Sequence, residues 1–213
     1  MIDCEFMSCM GDDDLVVDAA RVSFNKQAGN YSDSRNDSLI NFLAREKHYA
    51  PFSHPHATFR CTAPIFVARQ LAKHQVGGTW NEVSRRYVKD TPWFWQPVHL
   101  RAAGPDIKQG SLPDAHRRSD EFIEDYNEIC IDAVALYQKM INAGVCAEQA
   151  RAVLPQSTIT EWVWTGSLLF WSRVYNLRSA PETQRETQQF ADLLGEHMGA
   201  LFPTSWEALT NAC

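Results

Sequence analysis

The sequence predicts an α+β fold in which helices dominate. Apolar residues recur every three or four positions in several stretches, the spacing of amphipathic helices, whereas residues 56–62 alternate apolar and polar side chains as a half-buried strand does. The chain has 213 residues, of which 45% are hydrophobic, so it can bury a sizeable core. This length favours one domain over residues 1–213.

In the first half of the chain, helices are predicted at 12–22, 39–45 and 64–74. The first begins with three aspartates, which complement the positive end of the helix dipole, and a polar loop at 25–38 separates it from the second. Pro64 suits the first turn of the third helix, which should end at Gly77 and Gly78.

In the second half, helices are predicted at 119–142, 147–154 and 160–178, and a last helix opens at Pro181. The apolar face of the first consists of Phe122, Tyr126, Ile129, Ala133, Leu136 and Met140. Residues 160–178 are apolar nearly all round, so we expect this helix to be buried on most sides, as at a subunit interface. The preceding segment, 91–117, contains four prolines and two glycines and is predicted as loop, with a short strand near 93–95.

Charge and cysteine usage exclude several classes of protein. The net charge of −6 disfavours binding to nucleic acid polymers, which usually requires a basic surplus. No apolar run is long enough to span a bilayer, and the start lacks the basic and apolar regions of a signal peptide. Six scattered cysteines without a CxxC pair favour reduced thiols in the cytoplasm, or in a host's cytoplasm if the source is a virus.

Cations are concentrated in one short region of this acidic chain. They are Arg69, Lys73, His74, Arg85 and Arg86. Glu82 is the one acid among them, and such a cluster suits a small anionic ligand such as a nucleotide phosphate. The alternative is a solvated basic face.

The segment 70–87 carries the groups that a phosphate needs. The Ser84 hydroxyl, nearby backbone amides and the guanidinium groups of Arg85 and Arg86 would form a phosphate cradle. Glu82 cannot favour a phosphate, so it would accept from a sugar hydroxyl or orient an arginine. A capped turn with surface arginines is the alternative.

Other chemistries are less favoured. Histidines 48, 54, 56 and 74 lack a matching carboxylate or cysteine pattern, so we expect no metal site. Ser84 lacks the glycine pattern of a nucleophile elbow. The tryptophans of 160–178 are interpreted as core or interface residues rather than a base-stacking surface.

The residues 73–87, KHQVGGTWNEVSRRY, resemble the signature RHRxxSxNExSxRY of the flavin-dependent thymidylate synthases, with one additional residue before Asn-Glu. Further segments resemble family motifs in the same order: AARVSF at 19–24, HYAPFSH at 48–54, PIFVARQ at 64–70, EQARAVLP at 148–155, WT at 164–165 and NLRSAPETQRE at 176–186. A single motif would be weak evidence, but ordered motifs over most of the chain are specific.

The resemblance implies an enzyme that converts dUMP to dTMP with methylenetetrahydrofolate as one-carbon donor, FAD as cofactor and NADPH as reductant. It also implies a helix-rich fold with a small, mostly antiparallel sheet, and a homotetramer whose subunits share active sites. Related alternatives are an enzyme that adds another group, such as hydroxymethyl, at C5 of dUMP, and a non-catalytic nucleotide-binding relative.

Residue roles follow from the same resemblance. The implied dUMP-binding residues are Gln70, Lys73, Glu82, Ser84, Arg85, Arg86, Arg151 and Arg178. The implied FAD- or folate-binding residues are His48, Ala50, Lys73, His74, Gln75, Glu82, Tyr87, Ser167, Leu169 and Arg173. Arg178 is the implied catalytic residue, since a cation beside the uracil ring stabilises the negative charge that develops during attack at C6.

Several flavin-side positions depart from the family pattern. They are Ala50, Lys73, Gln75, Ser167, Leu169 and Arg173. A lysine replaces a guanidinium fork at 73, and the family's cations at 75 and 169 are lost, whereas Arg173 adds a charge where asparagine is usual. We therefore expect FAD to be bound through altered contacts. Different chemistry on a pyrimidine nucleotide is the alternative.

Overall fold

A computed structural model describes residues 1–108 and 110–211. The strands are β1 (Asp3–Met10), β2 (His56–Pro64), β3 (Gly78–Glu82) and β4 (Ile159–Ser167). The helices are α1 (Asp13–Arg21), α2 (Asp33–Arg45), α3 (Ile65–Leu71), α4 (Ser119–Asn142), α5 (Ala147–Ala150), α6 (Leu168–Arg178), α7 (Arg185–Leu201) and α8 (Pro203–Thr210). The predicted α+β class is confirmed, with helices dominant.

The strands form one four-stranded antiparallel sheet in the order β1-β2-β4-β3. β4 is an inner strand, so Trp164 lies opposite Phe59 of β2 on one side and Trp80 of β3 on the other. This pairing joins residues about a hundred positions apart and brings the segment after β3 beside the start of β4.

The core is built from aromatic side chains between the sheet and the C-terminal helices. Trp164 is fully buried and packs edge-to-face against Trp171 of α6 at a ring-centroid distance of 5.0 Å. The Phe190 ring of α7 stacks on the Trp162 ring at a centroid distance of 6.0 Å. Edge-to-face contacts are favourable because the positive ring edge meets the negative ring face.

Residues 160–178 are not one helix, which corrects the sequence-based expectation. The first part is β4 and only the second part, α6, is helical. Buried Trp162 and Trp164 alternate with half-buried positions in β4, but Val163 between them is apolar as well. Periodicity alone does not distinguish such a short apolar run from part of a buried helix. The burial of Trp162, Trp164 and Trp171 agrees with their interpretation as core residues.

The predicted apolar face of α4 is also wrong in part. Ile129 and Leu136 are 66% and 46% exposed, whereas Cys130 and Tyr137 are buried. Within the described residues, α4 packs against the short segments around α5 and, through Tyr126, against the connection between β3 and α4. Many of its other side chains are exposed in a single chain. The apolar face that the sequence predicts for α4 therefore includes side chains that remain exposed in a single chain.

Other differences lie at element boundaries. α2 begins at Asp33, inside the predicted loop, and α3 ends at Leu71 rather than His74. Neither β1 nor β3 was predicted. Both are edge strands, which pair with a neighbouring strand on one side only. The strand expected near 93–95 is a single bridge between Phe94 and Thr158. The last helix begins at Arg185 rather than Pro181, and a further helix, α8, follows it.

Within the described residues, no helix is long and apolar enough to cross a membrane. The same part of the chain contains no group of three or more His, Cys, Asp or Glu side chains arranged to hold a metal ion.

Candidate active site

Two clefts beside α3 are lined by predicted nucleotide-binding residues. The first, of about 460 Å³, is lined by Ile65 at the start of α3 and by Glu82, Arg85, Arg151 and other residues. The second, of about 450 Å³, is lined by Gln70 near the end of α3 and by residues of the segment that follows α6. The two clefts share no lining residue, so one chain divides the predicted nucleotide-binding residues between two places.

The turn after β3 is built around Ser84. Its carbonyl oxygen accepts from the backbone amides of Tyr87 and Val88 at 2.9 and 3.1 Å, and its hydroxyl accepts from the amide of Arg86 at 3.3 Å. The hydroxyl proton remains available as a donor. Nη1 of Arg85 donates to the carbonyl oxygen of Asp90 at 2.6 Å, which holds this guanidinium at the first cleft.

Glu148 brings two distant arginines together. Its carboxylate lies 3.6 Å from Nε of Arg86, and its carbonyl oxygen accepts from Nε of Arg151 at 3.4 Å. Both guanidinium groups are largely exposed, so they can turn toward a ligand. These arginines belong to separate motifs in the sequence, and the fold brings them together beside Glu148.

The Glu82 carboxylate is held by neutral donors. Thr160 donates its hydroxyl to Oε1 at 2.7 Å, and Nε1 of Trp80 lies 3.4 Å from Oε2. The Trp80 ring stacks on Trp162 at a centroid distance of 4.3 Å, which fixes this donor. Among the described residues Glu82 makes no ion pair with an arginine, so the geometry favours a role as acceptor for a ligand hydroxyl.

Arg178 lies in the second cleft between two partners. Its Nε donates to Nε2 of His74 at 3.0 Å, and its Nη2 donates to the carbonyl oxygen of Gln70 at 2.8 Å. Burial, and secondarily the charge of Arg178, lower the pKa of His74 to about 4. The imidazole is therefore neutral at pH 7 and acts as the acceptor in this pair.

The predicted flavin-side residues fall into an exposed and a buried group. His48, Ala50, Lys73, Gln75 and Arg173 are exposed. Within the described residues Lys73 and Arg173 make no ion pair, and the Arg173 guanidinium lies 5.8 Å from the centre of the Tyr49 ring beside His48 and Ala50. Free exposed cations are suited to an anionic cofactor.

The remaining positions differ in accessibility. The Ser167 hydroxyl accepts from the amide of Phe170 at 3.2 Å and so caps α6, and Leu169 is only 8% exposed and packs in the core. Both side chains therefore have a structural role, Ser167 as a helix cap and Leu169 in the core. Tyr87 is 74% exposed, with the Arg86 guanidinium 5.6 Å from its ring centre.

Sequence reasoning missed several residues that shape the clefts. Thr160 holds Glu82, and Gln184 and Thr187 hydrogen-bond the carboxamide of Gln70. Gln184 lies in the quoted segment NLRSAPETQRE, which was a usable signal. No local pattern marks Thr160, because its role depends on strand pairing.

Comparison with known proteins defines the family. The family model described as "Thymidylate synthase complementing protein" matches residues 5–204. The flavin-dependent thymidylate synthase of Thermosipho melanesiensis is 35% identical over 201 residues, covering 93% of this chain and 86% of the relative. That of Thermus thermophilus is 34% identical over 199 residues, covering 93% and 72%. The chain therefore belongs to the thymidylate synthase complementing protein family, whose curated relatives are named flavin-dependent thymidylate synthases, and the resemblance seen in the motifs is confirmed.

Solved structures agree with this result. The UMP/dUMP methylase PolB from Streptomyces cacaoi bound with 5-Br dUMP superposes with a TM-score of 0.89 at 29% identity, covering 99% of this chain and 95% of that one. The same protein bound with 5-Br UMP gives a TM-score of 0.86 at 26% identity, covering 100% and 95%. The expected helix-rich fold with a small antiparallel sheet is confirmed.

Proposed function

We propose that this protein catalyses the flavin-dependent reductive methylation of dUMP to dTMP, with methylenetetrahydrofolate as one-carbon donor and NADPH as reductant. The observation that carries the proposal is the convergence of Arg86 and Arg151 on Glu148, beside the Ser84 turn at an arginine-lined cleft. The relatives named above support the reaction type.

The nucleotide phosphate would be held by the Ser84 turn. Arg86 and Arg151 offer two guanidinium forks, which match phosphate oxygens bidentately, and the Ser84 hydroxyl adds a neutral donor. Arg85 supplies a further charge within the first cleft. Glu82, held by Thr160, would accept from a hydroxyl of the sugar, because a carboxylate repels the phosphate itself.

Arg178 would act on the uracil ring. One hydrogen of Nη2 is used by Gln70, and Nε is used by His74, so Nη1 remains free to donate into the second cleft. A guanidinium beside the ring stabilises negative charge as a nucleophile adds to C6. Because neutral His74 accepts from Nε, Arg178 keeps its orientation without a competing cation.

FAD is proposed as the cofactor, and when bound it would supply the reducing equivalents for the one-carbon transfer. The exposed Lys73, Gln75, His48 and Arg173 fit an anionic cofactor and would hold it, whereas buried Leu169 offers no contact. Lys73 provides charge without the bidentate geometry of the family signature, and Arg173 provides a guanidinium fork at another position, so the contacts would differ from those of the signature.

A homotetramer with shared active sites is proposed for the assembly. The two clefts of one chain are separate, so residues from neighbouring subunits would have to complete each site. The exposed Ile129 and Leu136 of α4 provide apolar surface for such contacts. We place this single-domain protein in the cytoplasm, or in a host's cytoplasm if the source is viral, and its free cysteines are consistent with that setting.

Titration with dUMP tests the proposal directly. Arg86→Ala should weaken binding by about 1.5–3 kcal/mol, the range for hydrogen bonds to a charged group. Arg118→Ala is the matched control, because Arg118 is an exposed arginine paired with Glu121 on α4 and lines neither cleft. Equal affinity in both variants would refute the phosphate site.

A product assay with dUMP, methylenetetrahydrofolate, FAD and NADPH should yield a nucleotide in which a methyl group replaces the hydrogen at C5, so that its mass rises by one CH2 unit. A hydroxymethyl product would contradict the proposed reaction, and no product despite tight dUMP binding would indicate a binding protein.

UMP is a second candidate substrate. The structural likeness to PolB, described as a UMP/dUMP methylase and solved with nucleotides of both sugars, favours it. Parallel titrations of UMP and dUMP distinguish the two. Preference for UMP would replace dUMP in the proposal.

A further inference from the structure

Glu186 on α7 is a buried carboxylate whose oxygens are both occupied. Only 4% of the residue is exposed. Arg101, from the long connection between β3 and α4, donates Nη1 to Oε1 at 2.8 Å and Nη2 to Oε2 at 3.0 Å. Gln184 donates its Nε2 to Oε2 at 2.9 Å. Burial alone would raise the pKa of Glu186, but the hydrogen bonds from Arg101 and Gln184 hold it below its usual value, so the carboxylate stays charged.

This carboxylate determines the orientation of two carboxamides in succession. Because Nε2 of Gln184 faces the carboxylate, its Oε1 faces Gln70 and accepts from Nε2 of Gln70 at 2.6 Å. Thr187 donates its hydroxyl to Oε1 of Gln70 at 3.2 Å. Turning the Gln70 carboxamide over would place two acceptor oxygens against each other, so only one orientation is satisfied.

Gln70 stands at the second cleft together with Arg178. Its carbonyl oxygen accepts from Arg178, and both residues line the cleft that we assign to the uracil ring. The side-chain orientation of Gln70 therefore decides which of its polar atoms meets the nucleotide.

We propose that Glu186 and Gln184 are positioning residues, which act through Gln70 to set the hydrogen-bond pattern that the second cleft offers to the base of the nucleotide. Arg101 anchors this relay to the connection between β3 and α4. The inference rests on the proposed nucleotide site and adds residues that do not themselves touch the ligand.

Glu186→Gln should weaken the relay. An amide offers one acceptor oxygen where the carboxylate offers two, so its N–H group faces a guanidinium nitrogen of Arg101 in either orientation. Gln184 also loses the charged acceptor that fixes its carboxamide. Gln184→Met gives a second variant, since it keeps the Arg101–Glu186 ion pair and removes only the side-chain hydrogen bonds of Gln184 to Glu186 and Gln70.

The experiment is a calorimetric titration of the full-length protein with dUMP and, separately, with 2-deoxyribose 5-phosphate, which lacks the base. Both variants should bind dUMP roughly three- to tenfold more weakly, the range for one hydrogen bond, and should bind 2-deoxyribose 5-phosphate as wild type does. Glu121→Gln, which breaks an exposed arginine ion pair on α4, is the control and should change neither affinity.

Three results would overturn the inference. Unchanged dUMP affinity in the variants would show that the relay does not affect the base. Equally weakened binding of both ligands would indicate a general structural defect. If Glu186→Gln does not fold, Gln184→Met provides the test, because it keeps the Arg101–Glu186 ion pair. Failure of the wild type to bind dUMP would refute the proposed function and this inference with it.

Discussion

The lowered pKa of His74 should make the folded protein less stable at mildly acidic pH. Burial and the neighbouring Arg178 lower the pKa of His74 from 6.5 to about 4. Between these two values the unfolded chain binds more protons than the folded one, so the free energy of unfolding decreases as the pH falls from about 6.5 toward 4.

The magnitude follows from the two pKa values. At pH 5 the difference in proton binding corresponds to about 2 kcal/mol, and we halve it to about 1 kcal/mol because the imidazole is partly exposed. Loss of the acceptor for Nε of Arg178 accompanies protonation, since a protonated imidazole can only donate.

Urea unfolding at pH 7 and pH 5 measures this effect at equal protein concentration. Wild type should lose about 1 kcal/mol more than His74→Gln, which cannot titrate but can still accept from Arg178. His54→Gln removes an exposed histidine elsewhere and should lose as much as wild type. If His74→Gln loses as much stability as wild type on acidification, the lowered pKa is refuted.

Three further predictions concern packing, cofactor and assembly. A Cβ at Gly166 would overlap the Phe170 ring, so Gly166→Ala should lower the unfolding free energy by about 1–3 kcal/mol in urea, whereas Gly29→Ala, which meets nothing within 4 Å, should not. Gln75→Arg should tighten FAD binding by about ten- to a hundredfold in a calorimetric titration, and weaker binding would refute the residue assignment; Gln189→Arg adds the same charge on α7 as a control. Light scattering should give four times the mass of one chain, and a monomer at micromolar concentration would contradict shared active sites.

The candidate site was only partly accessible to sequence reasoning. Ser84, Arg85 and Arg86 lie close together in the chain, so one turn presents them together. Arg151 and Arg178 were identified through resemblance to a family. No property of the segment 91–117 predicts that Arg101 reaches a buried carboxylate on α7, because that contact joins residues 85 positions apart.

The sequence alone determined the family, the dominance of helices and the region that suits an anionic ligand, because motifs and amphipathic periods are local. Tertiary structure decided that 160–167 lies in an inner strand, since a short apolar run has the same composition in a strand and in a buried helix. It also decided that Arg178 meets neutral His74 and that Gln70 has one orientation. Those properties depend on hydrogen bonds between distant segments, and only the packing of α3, α6 and α7 establishes them.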